Sequence, residues 1–279
     1  MLVLVATPIG NLGDLAPRAQ AALRDADLIA AEDTRRTRKL LSAFDIHTPL
    51  VAYHRDNESS ARERLLVELR SGKTVALVSD AGTPGIADPG EALVAACVAE
   101  DIAVEARPGA SSVLYALAVS GLPTGRFVFE SFLPRKGRAR SDRLCALRTE
   151  QRTIVVFEAP SRVPPTLADL ASELGSDRSC AVCRELTKIH EETWRGTLGD
   201  AADEFEATKQ DLRGEFVLVV AGAPAERGEP DPAAIRAFVE ARLAGGDSVR
   251  DASAAAADAL GVPKRAAYEA ALGIKAGDD

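Results

Sequence analysis

Thr74-Val-Ala-Leu-Val-Ser-Asp80-Ala-Gly-Thr-Pro-Gly-Ile-Ala-Asp-Pro-Gly90 decides how the chain reads. A short apolar run ends in a turn dense with glycine, proline and aspartate, and residues 90–100 then read as a helix. The same unit recurs on both sides. Residues 2–5, 28–31 and 50–53 read as strands, and 17–25 and 34–44 as helices. Asn57 is placed to cap a helix that runs to Arg70, and Gly72 stops it. Downstream, residues 103–106 read as a strand and 111–120 as a helix. This alternation predicts an α/β layer with a largely parallel sheet.

Two further strands end in loops of the same kind. They are Thr7-Pro-Ile-Gly-Asn-Leu-Gly-Asp14, after the first strand, and Arg107-Pro-Gly-Ala-Ser-Ser112, after 103–106. Parallel strands put all such loops at the carboxyl edge of the sheet, where open α/β layers bind ligands. Glycine lets backbone approach a ligand closely, and amides or a buried aspartate then fix it. No G-x-G triplet, P-loop or G-x-S-x-G elbow occurs, so dinucleotide, ATP and serine-hydrolase readings have no motif behind them.

The chain has 279 residues and 46% hydrophobic content, enough for about two domains of ~100–200 residues. Gly121-Leu-Pro-Thr-Gly125 is the natural break. It separates an N-terminal α/β domain (1–121) from a second one (122–223). In the second, residues 126–130, 153–157, 180–184 and 216–221 read as strands, and 141–148 and 165–174 as helices. A charged Pro/Gly linker over 222–232 leads to an alanine-rich helical extension, 232–275. There Ser248-Val-Arg-Asp251 fits a capping box, and Gly261-Val-Pro263 separates two helices. That pair reads either as a helix-turn-helix or as a small packing subdomain.

No apolar run approaches the ~18 residues of a membrane span, and the apolar N-terminus lacks the basic start of a signal peptide. Cys180 and Cys183 lie in a strand, where positions i and i+3 face opposite sides, so their sulfurs do not converge. His47, His54 and His190 complete no zinc spacing, and no metal is expected. These features predict a reduced, cytoplasmic protein. A net charge of −8 argues against a general nucleic-acid coat. Two local basic segments stand out, Arg35 to Lys39 and Arg135 to Arg143, and either also reads as a solvated helix face.

Several segments, in order and spacing, resemble the tetrapyrrole-methylase superfamily, and within it the branch of small-subunit ribosomal RNA methyltransferases I. They are Thr7-Pro-Ile-Gly-Asn-Leu-Gly-Asp14, Ala31-Glu-Asp-Thr-Arg35, Ser79-Asp-Ala-Gly-Thr-Pro84 with Asp88-Pro-Gly90, and Pro108-Gly109. Phe129-Glu-Ser-Phe-Leu-Pro134, Phe157-Glu158, Arg184-Glu-Leu-Thr-Lys188 with Glu191, and Gly214-Glu215 complete the set. The similarity spans about residues 3–222 and weakens in the tail. Ser131 departs from it, standing where glycine is expected.

The resemblance implies two α/β domains with S-adenosylmethionine in the cleft between them. It also implies a homodimer, and a cytidine ribose of small-subunit ribosomal RNA, free or in a 30S particle, as substrate. Carried over by residue, the cofactor positions are Ile9, Gly10, Asp80, Gly82, Thr83, Ser111 and Ser112, with Phe157 and Glu158 from the second domain. Methyl transfer is an in-line displacement dominated by positioning. The ribose hydroxyl must lose a proton, and Glu32, Asp33, Lys188 and Glu191 are the candidate catalytic residues. Arg35, Arg135, Lys136, Arg138 and Arg184 are the candidate RNA contacts, through phosphates. The 184–188 cluster also reads as a structural ion-pair ladder. The alternatives are a methylase of small tetrapyrroles and a non-catalytic ribosome-associated module.

Overall fold

The computed structural model describes residues 1–224 and 231–275. The chain divides into two units, 1–223 and 224–279. Most of the linker expected over 222–232, residues 225–230, lies outside the described residues.

In the first unit β1 (Leu2–Val5), β2 (Leu28–Ala31), β3 (Leu50–Ala52), β4 (Val75–Val78) and β5 (Val104–Arg107) form a sheet in the order β3-β2-β4-β1-β5. Every pairing is parallel, as the alternation predicted. β4 lacks polar alternation because both its faces are covered. Ala76 and Val78 pack with Leu23 of α1 (Pro17–Asp25) and Leu41 of α2 (Thr34–Ala43). Val75 and Leu77 pack with Leu65 and Leu69 of α3 (Glu58–Arg70) and Leu93 of α4 (Glu91–Ala99). The loops after β1, β2, β4 and β5 therefore share the carboxyl edge. Asn57 precedes α3 without capping it. Its side chain turns back, accepting from the His54 N–H at 2.8 Å and donating to the Ala52 carbonyl at 3.1 Å.

α5 (Ser112–Ser120) follows β5 but packs elsewhere: Val113, Ala116 and Leu117 lie on Val155, Ala181, Cys183, Val217 and Val219 of the second sheet. That sheet has the order β6-β7-β10-β8-β9, from β6 (Phe127–Phe132), β7 (Thr153–Glu158), β8 (Ser179–Arg184), β9 (Glu192–Thr197) and β10 (Phe216–Val220). β6 and β7 are parallel and the other pairs antiparallel. Its far face carries α6 (Arg138–Leu147), α7 (Val163–Leu174) and α8 (Leu198–Ala207), on Ile154, Val156, Val182 and Leu218. Cys180 joins this far-face core and Cys183 the α5 side, so the two thiols do face apart.

β9 and α8 were not read from the sequence. β9 is an edge strand whose Thr193, Arg195 and Thr197 are polar, and only Trp194 reaches the core, where it meets Phe205 edge-on. α6 begins three residues earlier than expected, at Arg138.

The C-terminal unit is built from α9 (Pro232–Ala244), α10 (Val249–Leu260) and α11 (Lys264–Lys275). Small side chains let the helices close around Ile235, Val239, Ala252, Ala256, Ala267 and Ala271. Ser248 caps α10 by accepting from the Asp251 N–H at 3.2 Å, the first half of the expected capping box, while the Asp251 carboxylate accepts from the Ser248 hydroxyl at 2.6 Å rather than from its backbone N–H. Gly261 ends α10 in the left-handed region, φ 66°. No helix among the described residues is long and apolar enough to cross a membrane.

Candidate active site

The glycine loops are tied to one another before any ligand is considered. Thr7 and Gly82 exchange backbone hydrogen bonds at 2.9 and 3.1 Å, and the Thr7 hydroxyl donates to the Ser79 carbonyl at 3.2 Å. Gly82 sits at φ 76°. Gly109 lets the β5 loop close on the β1 loop, since a Cβ there would stand 2.9 Å from that of Ala6. Gly10 faces the loop after β8. A Cβ on it would collide with the Lys188 side chain and lie 2.8 Å from the Thr187 Oγ1. Glycine is needed at 10 for this approach between the two halves of the unit.

A cavity of about 420 Å³ opens between those halves. Ile9, Glu32, Arg36, Asp80, Ala81, Asp88 and Ser112 line it from the first half, and Phe132, Phe157, Glu158, Leu186 and residues 214–217 from the second. A second cavity of about 220 Å³ is lined by Gly82, Thr83, Ile86, Ser111, Leu114, Phe127 and Phe129, among others. Ala81, Asp88, Ser112 and Phe157 wall both, so the two are compartments of one cleft. The aromatic wall depends on a bulge. Strand alternation would turn Phe129 and Phe132 to opposite faces, but the β6–β7 register shifts between them and Ser131 adopts φ 54°. Both rings then meet Phe157 edge-on, at 4.8 and 5.7 Å between centroids. The positive φ explains why glycine was expected at 131.

Carboxylates dominate the opposite wall. Asp80 accepts from the Asp33 N–H at 3.0 Å and pairs with Arg36 at 3.4 Å, which ties the loop after β4 to that after β2. Burial and the neighbouring Asp80 raise the Glu32 pKa. Burial, then the charge of Glu32, pushes the Asp88 carboxyl up to about 6. Asp33 points elsewhere. It caps α2, accepting from the Arg35 N–H at 2.8 Å, and the Arg35 guanidinium holds its carboxyl down to about 2.

The structure gives other partners to several residues singled out in the sequence. Arg35 is exposed but bound to Asp33 at 3.0 Å. Lys188 donates to Glu185 at 2.7 Å and to Glu215 at 3.1 Å, and Glu191 accepts from Tyr115 at 2.9 Å and from the Thr187 N–H at 2.7 Å. Neither Lys188, Glu191 nor Gly10 is among the residues that line the two compartments. Glu158 accepts from the Thr166 hydroxyl at 2.7 Å and faces Arg162 at 3.3 Å, so its carboxylate serves the interior of the second half. Arg184 donates to the Arg213 carbonyl at 3.0 Å and lies over the Phe216 ring. Within the basic segment, Arg140 is buried against Asp169 and Thr166, and Arg143 pairs with Glu130. Arg138 faces Asp142 at 3.4 Å, while Arg135 and Lys136 are exposed with no ion pair among the described residues. Asp88, Arg36, Phe129 and Phe132 belong to the cleft but were not chosen as site residues. Asp88 stood in the glycine loop quoted first, and only the fold shows that its side chain reaches the cleft.

The model of the tetrapyrrole (corrin/porphyrin) methylases matches residues 1–202. A Synechocystis protein named ribosomal RNA small subunit methyltransferase I is 49% identical over 277 residues, 99% of each chain. Proteins of that name from Xylella fastidiosa and Mycobacterium tuberculosis are 52% and 45% identical, covering 80% and 97% of this chain and 81% and 94% of their own. Among solved structures, diphthine synthase superposes with a TM-score of 0.60 at 16% identity, over 79% of this chain and 90% of its own. Uroporphyrin-III C-methyltransferase from Thermus thermophilus gives 0.58 at 20%, over 79% and 93%. These likenesses carry the fold. With the family model matching most of the chain and relatives near half identity along nearly all of it, the protein belongs to the tetrapyrrole methylases, in the branch of ribosomal RNA small subunit methyltransferases I.

Proposed function

We propose that the protein transfers a methyl group from S-adenosylmethionine to the 2′-hydroxyl of a cytidine ribose in 16S ribosomal RNA, acting on small subunits in the cytoplasm as a homodimer. The observation that carries the reading is the cleft. Its two joined compartments, about 420 and 220 Å³, together reach the size of a cofactor site. The names of the relatives support the RNA as substrate.

The lining fits this cofactor. Phe157 and its two aromatic neighbours offer faces for a purine, the tied glycine loops line the cleft, and Glu32 and Asp80 suit ribose hydroxyls and cationic groups. When bound, S-adenosylmethionine supplies an electrophilic methyl on a sulfonium centre. Ile9, Asp80, Ser112 and Phe157 would hold it in the larger compartment, with Glu158 fixing the wall behind Phe157, and Gly82, Thr83 and Ser111 border the smaller. The apolar wall excludes water from the line of attack, and the loops, fixed to one another beforehand, orient the reactants. Arg135 and Lys136 would meet RNA phosphates outside the cleft. Those cations favour RNA over a small tetrapyrrole, which needs no basic surface beyond the pocket.

Labelled methyl transfer to 30S particles, naked 16S RNA and a tetrapyrrole tests the reading. Label should enter the RNA, in the particle or free, with chelator present or absent. Label entering only the tetrapyrrole would contradict it.

A further inference from the structure

We infer that Asp88 is a catalytic residue of the cleft, the group that takes the proton from the attacking ribose hydroxyl. The inference rests on the ribose-methylation reading and deepens it.

The charged side chains lining the larger compartment are Glu32, Arg36, Asp80, Asp88, Glu158 and Glu215. Most are already committed. Asp80 holds Arg36 and the Asp33 N–H, Glu158 is bound inside the second half, and Glu215 holds Lys188. Glu32 and Asp88 have no ion pair among the described residues. Asp88 alone of the two walls both compartments, so of the uncommitted carboxylates it is the one placed at their junction.

Its surroundings suit the task. Glu32 faces it from the loop after β2 and Asp80 from its own loop, with Arg55, before α3, as the compensating charge. Glu58 of α3 and Glu91 of α4 line a third cavity on its other side. Burial, then the charges of Glu32 and Asp80, lifts Asp88 to about 6 against the lowering effect of the Ser79 hydroxyl and Arg55, so at neutral pH it is ionised and still basic enough to accept a proton. In the transfer the ribose oxygen bonds to the methyl carbon as the carbon–sulfur bond breaks. The bonding pair stays on sulfur as a thioether, and the hydroxyl proton passes to the Asp88 carboxylate, which returns it to water.

The test is single-turnover methyl transfer to 30S particles across about pH 5 to 8, with nucleoside analysis of the product and calorimetry of cofactor binding. The parent rate should climb tenfold per pH unit and level near the Asp88 value of about 6. Asp88→Asn should lose about 10²–10⁴-fold in rate and the pH step with it, while binding the cofactor within about threefold of the parent. Glu32→Gln removes a like charge and should move the step to lower pH. Asp88→Asn retaining the parental rate or step, losing rate only through cofactor affinity, or Glu32→Gln leaving the step unmoved would each overturn the inference. If 2′-O-methylcytidine still forms in those cases, the ribose reading survives alone. A parental product methylated elsewhere overturns both.

Discussion

Asp88 is held in the folded chain at a cost that the unfolded chain does not bear. Its carboxyl ionises near 3.8 when free and near 6 in the fold, because burial and Glu32 oppose the charge. Between those values the native state binds more protons than the unfolded one, so stability falls as pH rises through the interval. The penalty is absent below 3.8 and complete above about 6. Asp88→Asn, which keeps the shape without the charge, should therefore stabilise the protein at neutral pH. Discounted for the partial exposure of the site, the gain is about 1 kcal/mol. Thermal unfolding at neutral pH and near pH 4 checks this: the gain should appear in the first and fade in the second. An equal gain at both would mean that the charge is not what strains the site.

At the scale of elements, the basic segment after β6 divides by burial. Arg140 bonds Asp169 at 2.7 Å, the Thr166 hydroxyl at 3.0 Å and the Pro134 carbonyl at 3.0 Å, which pins α6 to α7. Removing one partner of such a pair leaves polar groups unmet, so Arg140→Met should cost about 3 kcal/mol in urea unfolding. Arg135→Met and Lys136→Met should leave stability alone and reduce the salt dependence of RNA binding by about one unit of slope per phosphate lost. Equal destabilisation by all three would show that the segment is one structural unit. The sequence displays this segment as a cluster of basic residues interrupted only by Gly137, Ala139, Ser141 and Asp142, and nothing local separates the arginine that faces inward from its neighbours. Helix phase separates them, and phase depended on a start at Arg138 that an uncapped Gly137 does not announce. The β6 bulge is a similar case. Ser131 was noticed as a departure from glycine, but its consequence, three phenylalanines on one wall, exists only once β6 is paired with β7.

For the molecule as a whole, legibility followed burial. The first sheet could be read because β1, β2 and β4 are buried apolar runs and β1, β4 and β5 end in glycine turns, so runs and breaks coincide. The second was read in part: its buried strands were found, and the polar edge strand β9 was not. The site was legible as loops rather than as roles. The loops after β1, β4 and β5 do converge on the cleft, but which carboxylates remain uncommitted depends on partners distant in sequence, such as Asp80 with Asp33 or Lys188 with Glu215. Arg36 and Asp88 acquire meaning only through that long-range pairing.

We propose that this cleft delivers a methyl to a ribose oxygen of a cytidine. The most direct measurement is mass spectrometry of nucleosides from 16S RNA after reaction of 30S particles with isotope-labelled S-adenosylmethionine and the protein. The expected product is a labelled cytidine with the methyl on its sugar, protecting the adjoining phosphodiester from alkali. A labelled cytidine whose sugar fragment is unmodified, with the methyl on the base, would contradict it.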